Sequence, residues 1–278
     1  MNTDRIKMSD IDKLEKSFKS QVKRDKKREK NPRMIYLPNF YPAKKVDYIL
    51  IGSEPSLKRW AKTIPDAKRK IAQQNFKNFC LSVEDFILHY AARHSLCSMN
   101  KSYYITDLTK GAMKTKDASN KEEAKKRRNQ WYKLLCDELH LFSKPTTVFI
   151  SIGDAVHSFL LKQGFGFEEE FRSKIEKIYH YSPDWAARCR GRYIRHKNIN
   201  GQSFRQFAKQ IDIDDIVEVA KEVIKKYKIK EPLASTITKR IGKHPLSPSR
   251  KKLLFDYSIM FEDINDKRKR RPKQRRIK

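Results

Sequence analysis

No run of about 18 apolar residues occurs in the 278-residue chain, which argues against a transmembrane helix. The opening MNTDRIKMSD has no apolar h-region, so no secretory leader is expected. The four cysteines, Cys80, Cys97, Cys136 and Cys189, form no CxxC pair. That spacing speaks against a disulfide scaffold and a standard zinc site, and it predicts reduced, mostly buried thiols in a cytosolic chain. Internal repeats are absent as well. Hydrophobic residues make up 38% and aromatics 11%, low for a wholly globular chain but enough for one core with polar extensions. Acidic side chains are scarce, 33 against 64 Lys and Arg, and the formal charge is +31. A small soluble domain carries a magnitude of about 2–8. Self-repulsion on this scale opposes a compact fold unless a polyanion offsets it. Nucleic acid is therefore the expected partner, with an anionic membrane surface the weaker option.

The charge divides the chain. Residues 1–33 hold 12 basic and 6 acidic side chains, and residues 267–278 hold 9 basic and none acidic. The first segment reads as a basic helix or arm. Ile11, Leu14, Phe18 and Val22 recur at helical spacing over 8–30, and Pro32 ends the pattern. Weak packing and a basic face turned to phosphate are expected of it. Residues 34–230 carry the core signals. Four short apolar runs, Val46–Gly52, Ser102–Asp107, Thr146–Ile152 and Lys174–His180, suit buried strands. Helical patterns lie near 57–74, 82–93, 118–140 and 154–163, and 203–228 closes the domain with one or two more. Strands alternating with helices predict a three-layer α/β/α sandwich around a mostly parallel sheet of about four strands. Residues 231–278 read as a basic C-terminal extension. Asp256–Ile264 can dock on the body, and the last 12 or so residues are expected to be disordered alone, as a polyanion-binding arm, a nuclear import signal in a eukaryotic host, or a merely solvated tail.

Ligands of such sheets bind beyond the carboxyl ends of the strands. Two segments there carry chemistry. Gly52-Ser-Glu-Pro-Ser56 follows the first strand, and His180-Tyr-Ser-Pro183 follows the last, with Arg190-Gly191 soon after. A shared cleft would pair the Glu54 carboxylate with the His180 imidazole for acid/base or electrostatic work. Each also has a plainer reading, a turn for Glu54-Pro55 and a structural histidine for His180.

Together the segments resemble the uracil-DNA glycosylase superfamily. Its first motif reads Gly-Gln-Asp-Pro-Tyr or Gly-x-x-Pro-Gly, and here stands Gly52-Ser-Glu-Pro-Ser56. Its second reads His-Pro-Ser-Pro-Leu, and here stands His180-Tyr-Ser-Pro-Asp184. The strand that ends in the family's base-reading Asn is matched by Tyr104-Ile-Thr-Asp107, with Asp in its place. Val148–Gly153 is similar to the next strand. The resemblance covers roughly residues 40–210, with four partial motifs in order.

The resemblance implies a glycosylase that flips a nucleotide and hydrolyses its N-glycosidic bond, and the absence of a Lys in the two motif positions points to a monofunctional one. Glu54 would take the place of the water-positioning Asp, and His180 would stabilise the departing anionic base. Ser53, Ser56, Phe79 and Asp107 become base-binding candidates. Phe76, Phe79 and Phe86 share helical spacing, so plain core packing competes for Phe79. Ser182, Trp185, Arg188, Arg190 and Arg192 become DNA-binding candidates, Ser182 on a phosphate and Trp185 or Tyr181 as a wedge in the duplex or as core. Lys110, Lys114, Lys116, Lys121, Lys125, Lys126, Arg127, Arg128 and Arg195 add basic side chains for phosphate or solvent. One branch of the family holds an iron–sulfur cluster through four cysteines. Its N-terminal pair is missing here, so no cofactor and no metal is expected.

Two departures bear on the substrate. Ser56 replaces a Tyr that excludes bases substituted at C5. An ionised Asp107 only accepts hydrogen bonds, which suits the exocyclic amine of cytosine and opposes uracil O4. The expected substrate is a cytosine with a bulky C5 group, as in modified bacteriophage DNA, and the expected role is host defence. The alternatives are a uracil-excising repair enzyme and a catalytically silent nucleic-acid binder of the same fold. A metal-dependent nuclease using Glu54, Asp107 and Asp154 ranks below them. No obligate protein partner and no membrane are inferred. The expected location is the cytoplasm with the nucleoid, or the nucleus of a eukaryote.

Overall fold

The computed structural model describes residues 5–30, 33–57, 60–97, 101–113, 121–165, 175–180, 197–199 and 201–270. The candidates Ser182, Trp185, Arg188, Arg190 and Arg192 lie outside them, as do Lys114, Lys116, Cys189 and Arg195. The central sheet has four strands: β2 (Val46–Gly52), β3 (Tyr103–Asp107), β5 (Ser143–Ile152) and β6 (Glu176–Ile178). Their order is β3-β2-β5-β6, and each neighbouring pair is parallel. The short strands β1 (Ile35–Tyr36) and β4 (Gly111–Ala112) pair antiparallel beside it.

Side chains of a strand alternate between the faces of its sheet. Tyr48, Leu50, Ile105, Val148, Ile150, Ile152 and Ile178 enter one core. Ile49, Ile51, Tyr104 and Phe149 enter the other. Both faces are covered, which is why the strands read as near-continuous apolar runs. The first layer comprises α2 (Ile64–Gln74), α3 (Val83–Ala91) with its π-helical turn Ala92–Leu96, α7 (Ile213–Lys226), α8 (Leu233–Ile241) and α9 (Pro248–Arg270). The second comprises α1 (Met8–Arg28), α4 (Lys121–Phe142) and α5 (Asp154–Lys162). The short helix α6 (Phe204–Gln210) packs its Phe204 and Phe207 on Phe255 of α9. This is the three-layer α/β/α arrangement expected from the sequence.

Two expectations are corrected. Helix α1 does not pack weakly. Ile11, Leu14, Phe18 and Val22 are buried, and the Phe18 ring lies 5.5 Å from that of Trp131 on α4. Asp25 is buried with them and accepts from the Trp131 indole N–H at 2.6 Å. The apolar stripe is therefore a core face, and only the opposite face of α1 is solvated. The docking expected of 256–264 belongs to a longer helix, α9, which runs to Arg270, past the expected onset of disorder at 267. Asn265 donates to the carbonyls of Ser95 and Leu96 and accepts from Tyr48 Oη at 2.5 Å, which ties α9 to β2. Among the described residues no helix is long and apolar enough to cross a membrane.

Candidate active site

The sheet brings the predicted residues to one edge. All four strands point the same way, so Gly52, Asp107, Gly153 and His180 stand at the carboxyl ends of, or just after, β2, β3, β5 and β6. The chain leaves β2 for β3 on one side and later β5 on the other, so Gly52–Glu54 sit at the topological switch point. Glu54 and His180 belong to strands separated only by β5. At a spacing of about 4.8 Å per strand their strand ends lie about 10 Å apart.

Gly52 is the meeting point on one side. A Cβ there would stand 2.2 Å from Asp107 Oδ1 and 3.4 Å from Phe79 Cζ. Only a residue without a side chain lets the Asp107 carboxylate approach the backbone so closely. Gly153 does the same for His180, whose Cβ would be 3.2 Å from a Cβ at 153, and its φ of +92° also favours glycine. The end of β6 is pinned by Tyr257 of α9, which donates to the Tyr179 carbonyl at 3.1 Å.

Glu54 is held from one side. Its Oε2 receives Arg127 Nη2 at 2.9 Å, and Arg128 Nε lies 3.7 Å from Oε1. Oε1 is buried and accepts no hydrogen bond. Arg128 also donates to Ser53 Oγ at 3.2 Å. Ser56 is fixed through its backbone, bridging to Met113 and accepting from the Trp60 indole at 2.9 Å.

Asp107 lies in a buried polar network. Its Oδ2 accepts from Asn78 Nδ2 at 2.7 Å. Asn78 donates to Asn39 as well, and Asn39 donates to Thr106 and Tyr104. Those two hydroxyls donate to Glu138, which is paired with Lys110 Nζ at 2.8 Å. Burial pushes the Asp107 carboxyl up to about 7, with the Asn78 hydrogen bond and Lys110 pulling down and the Glu54 charge adding to the rise. Asp107 therefore keeps a proton to much higher pH than an ordinary carboxyl. Asn78 occupies Oδ2, so the proton sits on Oδ1, on the Gly52 side.

Phe76, Phe79 and Phe86 do not share a helix. Phe76 and Phe79 lie in the loop between α2 and α3, and only Phe86 is helical, though all three are buried. Phe79 has φ +56°, a strained value for a bulky residue. Its N–H donates to Asn78 Oδ1 at 3.0 Å. Its carbonyl lies 2.9 Å from His89 Nε2. Burial lowers the His89 imidazole to about 4, so it is neutral. A carbonyl only accepts, so Nε2 carries the hydrogen, and Nδ1 accepts from Tyr103 Oη at 2.8 Å.

Two of the basic side chains read as facing phosphate or solvent do neither. Lys110 and Arg127 are each 1% exposed and serve buried carboxylates, which bars them from a DNA backbone. The residues the sequence left unmarked, Asn39, Asn78, His89, Glu29 and Glu138, meet the site from distant parts of the chain, and no local spacing announces them. Among the described residues no group of three or more His, Cys, Asp or Glu could hold a metal ion, and Cys80, Cys97 and Cys136 are free thiols. The chain matches no protein-family model, and no curated protein matches it in sequence.

Proposed function

We propose that this chain is a DNA glycosylase that extrudes a base from DNA and hydrolyses its N-glycosidic bond, leaving an abasic site. The observation that carries the reading is Glu54. Its carboxylate stands at the switch point, gripped through Oε2 by Arg127, with the buried Oε1 accepting no hydrogen bond and 3.7 Å from Arg128 Nε, on the strand edge that also bears Asp107 and His180. Glu54 Oε1 orients a water and accepts its proton as the water oxygen bonds to C1′. The C1′–N1 bond breaks and its electron pair leaves with the base. His180 donates a hydrogen bond to the anionic base, which then takes up a proton. No residue forms a covalent bond to the sugar.

Asp107 supports a cytosine as the base. Ionised, its Oδ1 accepts from an exocyclic amine, and Ser56 leaves room at C5 where the family has a Tyr. The substrate class is thus a 5-substituted cytosine of the kind that marks modified phage DNA, and the role is host defence where that DNA enters the cell, in the cytoplasm. Ser182, Arg188, Arg190 and Arg192 grip the flanking phosphates and Trp185 wedges the duplex.

Oligonucleotides carrying uracil, 5-methylcytosine, 5-hydroxymethylcytosine or its glucosylated form test this, with mild alkali to cut abasic sites. Alkali-dependent cutting at a 5-substituted cytosine, abolished by Glu54→Gln, is expected. Cutting at uracil alone would make the chain a repair enzyme. Salt-sensitive binding without cutting at any base would make it a silent binder.

A further inference from the structure

We infer that the N-terminal helix is part of this site, and that Glu29, just past its end, is a positioning residue that aims Glu54 through Arg127. The inference rests on the role of Glu54 proposed above. Arg127 lies between two carboxylates. Its Nη1 donates to Glu29 Oε2 and its Nη2 to Glu54 Oε2. The side-chain exposures of Arg127, Glu29 and Glu54 are 1%, 5% and 10%, so solvent replaces neither partner. Such a guanidinium has a single orientation only while both ends are held.

The end of α1 is well placed to hold one end. Asp25 accepts from Trp131 of α4 at 2.6 Å, and Arg28 lies 3.6 Å from Glu123 and donates to Gln130. The last turn of α1 is therefore fastened to the stretch of α4 that carries Arg127 and Arg128. Burial raises the Glu29 carboxyl above its usual range, and the neighbouring Arg127 and Arg28 oppose that rise.

Removing Glu29 has two consequences for Glu54. Arg127 Nη1 becomes a buried donor without a partner, and the guanidinium can satisfy it only by turning on Glu54, which re-aims Oε1. The local charge also changes. Glu29 offsets Arg28, which it meets at 2.6 Å, as well as Arg127, so without it the cluster of Arg28, Arg127 and Arg128 around Glu54 is left one unit more positive. N-glycosidic cleavage develops positive charge on the sugar, so that surplus opposes the transition state and not the bound ground state. The effect belongs in kcat. A misplacement of about 1 Å costs about 100-fold, so a loss of about 10- to 100-fold is expected.

The test compares the full chain with Glu29→Gln, Glu29→Ala and Phe18→Leu in single-turnover base release, with DNA affinity and Tm measured alongside. Phe18→Leu loosens the same helix without touching Arg127. Glu29→Ala should lose about 10- to 100-fold in the rate at saturation and Glu29→Gln, which keeps an oxygen for Arg127 Nη1 but not the charge, a smaller part of that; both should keep DNA affinity within about threefold, and Phe18→Leu should lower Tm while keeping the rate. Unchanged rates in both Glu29 variants beside an active parent would overturn the relay alone. Equal rate losses in Phe18→Leu and the Glu29 variants would also overturn it, since helix packing would then be the cause. A parent chain that releases no base would overturn the Glu54 reading and the relay with it.

Discussion

Replacing Asp107 by Asn should make the protein more stable at high pH and change what it reads. Asp107 is 2% exposed, and burial raises its carboxyl from the ordinary 3.8 to about 7. The fold therefore prefers the neutral form. Below about pH 4 the folded and unfolded chains both hold the proton, and nothing is lost. As pH rises toward 7 the unfolded chain ionises first, and stability falls. Above 7 the full difference applies, about three pH units at 1.36 kcal/mol each, or about 4 kcal/mol. Asn removes that cost and keeps an oxygen for Asn78 Nδ2. At roughly 2 °C per kcal/mol for a chain of this length, Tm should rise by about 8 °C at pH 8 and by little near pH 4. Thermal melts of both proteins across that range measure it. An equal gain at both ends, or a loss at pH 8, would refute the assignment of a buried carboxylate penalty to Asp107. The same substitution turns an NH2 donor toward Gly52 in place of an acceptor. Excision should shift from amine-bearing bases toward uracil by about 1–3 kcal/mol, a 5- to 150-fold change in relative kcat/KM.

Further outcomes follow from the same geometry. Release of 5-substituted cytosine by the unmodified chain should rise as pH passes upward through about 7, because ionised Asp107 Oδ1 accepts and its protonated form donates; a flat single-turnover profile across that range would contradict this. Lys110→Met should cost about 3–5 kcal/mol in denaturant melts, since it leaves Glu138 buried and unpaired, and a cost under 1 kcal/mol would show that the pair is dispensable. Gly52→Ala should cut base release by about 100-fold, because the new Cβ falls 2.2 Å from Asp107 Oδ1 and the carboxyl must move; a fully active variant would remove Asp107 from the site.

The frame of the site was legible because its signals are local. Apolar runs closed by Gly or Asp located the strand ends, and a parallel sheet brings strand ends together. The helix over 8–28 was legible for the same reason, from four apolar residues at regular spacing. What held the site was not. Arg127 lies 73 residues from Glu54 and 98 from Glu29, and a basic run such as Lys125-Lys-Arg-Arg128 looks alike whether it faces DNA or a buried carboxylate. Helix α9 escaped for a different reason. Leu253, Leu254, Phe255, Tyr257, Ile259, Met260, Phe261 and Ile264 are buried around much of its circumference, which weakens the one-sided period of a surface helix. The positive φ of Phe79 depends on Asn78 and on His89, and neither hydrogen bond is written in the spacing of the phenylalanines.

Loss of a base from DNA is the step proposed for Glu54. Its most direct measurement is mass-spectrometric detection of the free base after incubation with duplex bearing one glucosylated 5-hydroxymethylcytosine, for the full chain and for Glu54→Gln. The expected result is stoichiometric release of the modified base by the full chain, an intact abasic strand, and no release by Glu54→Gln while DNA binding persists. Release that survives in Glu54→Gln, or bound DNA from which no base is ever lost, would contradict the account.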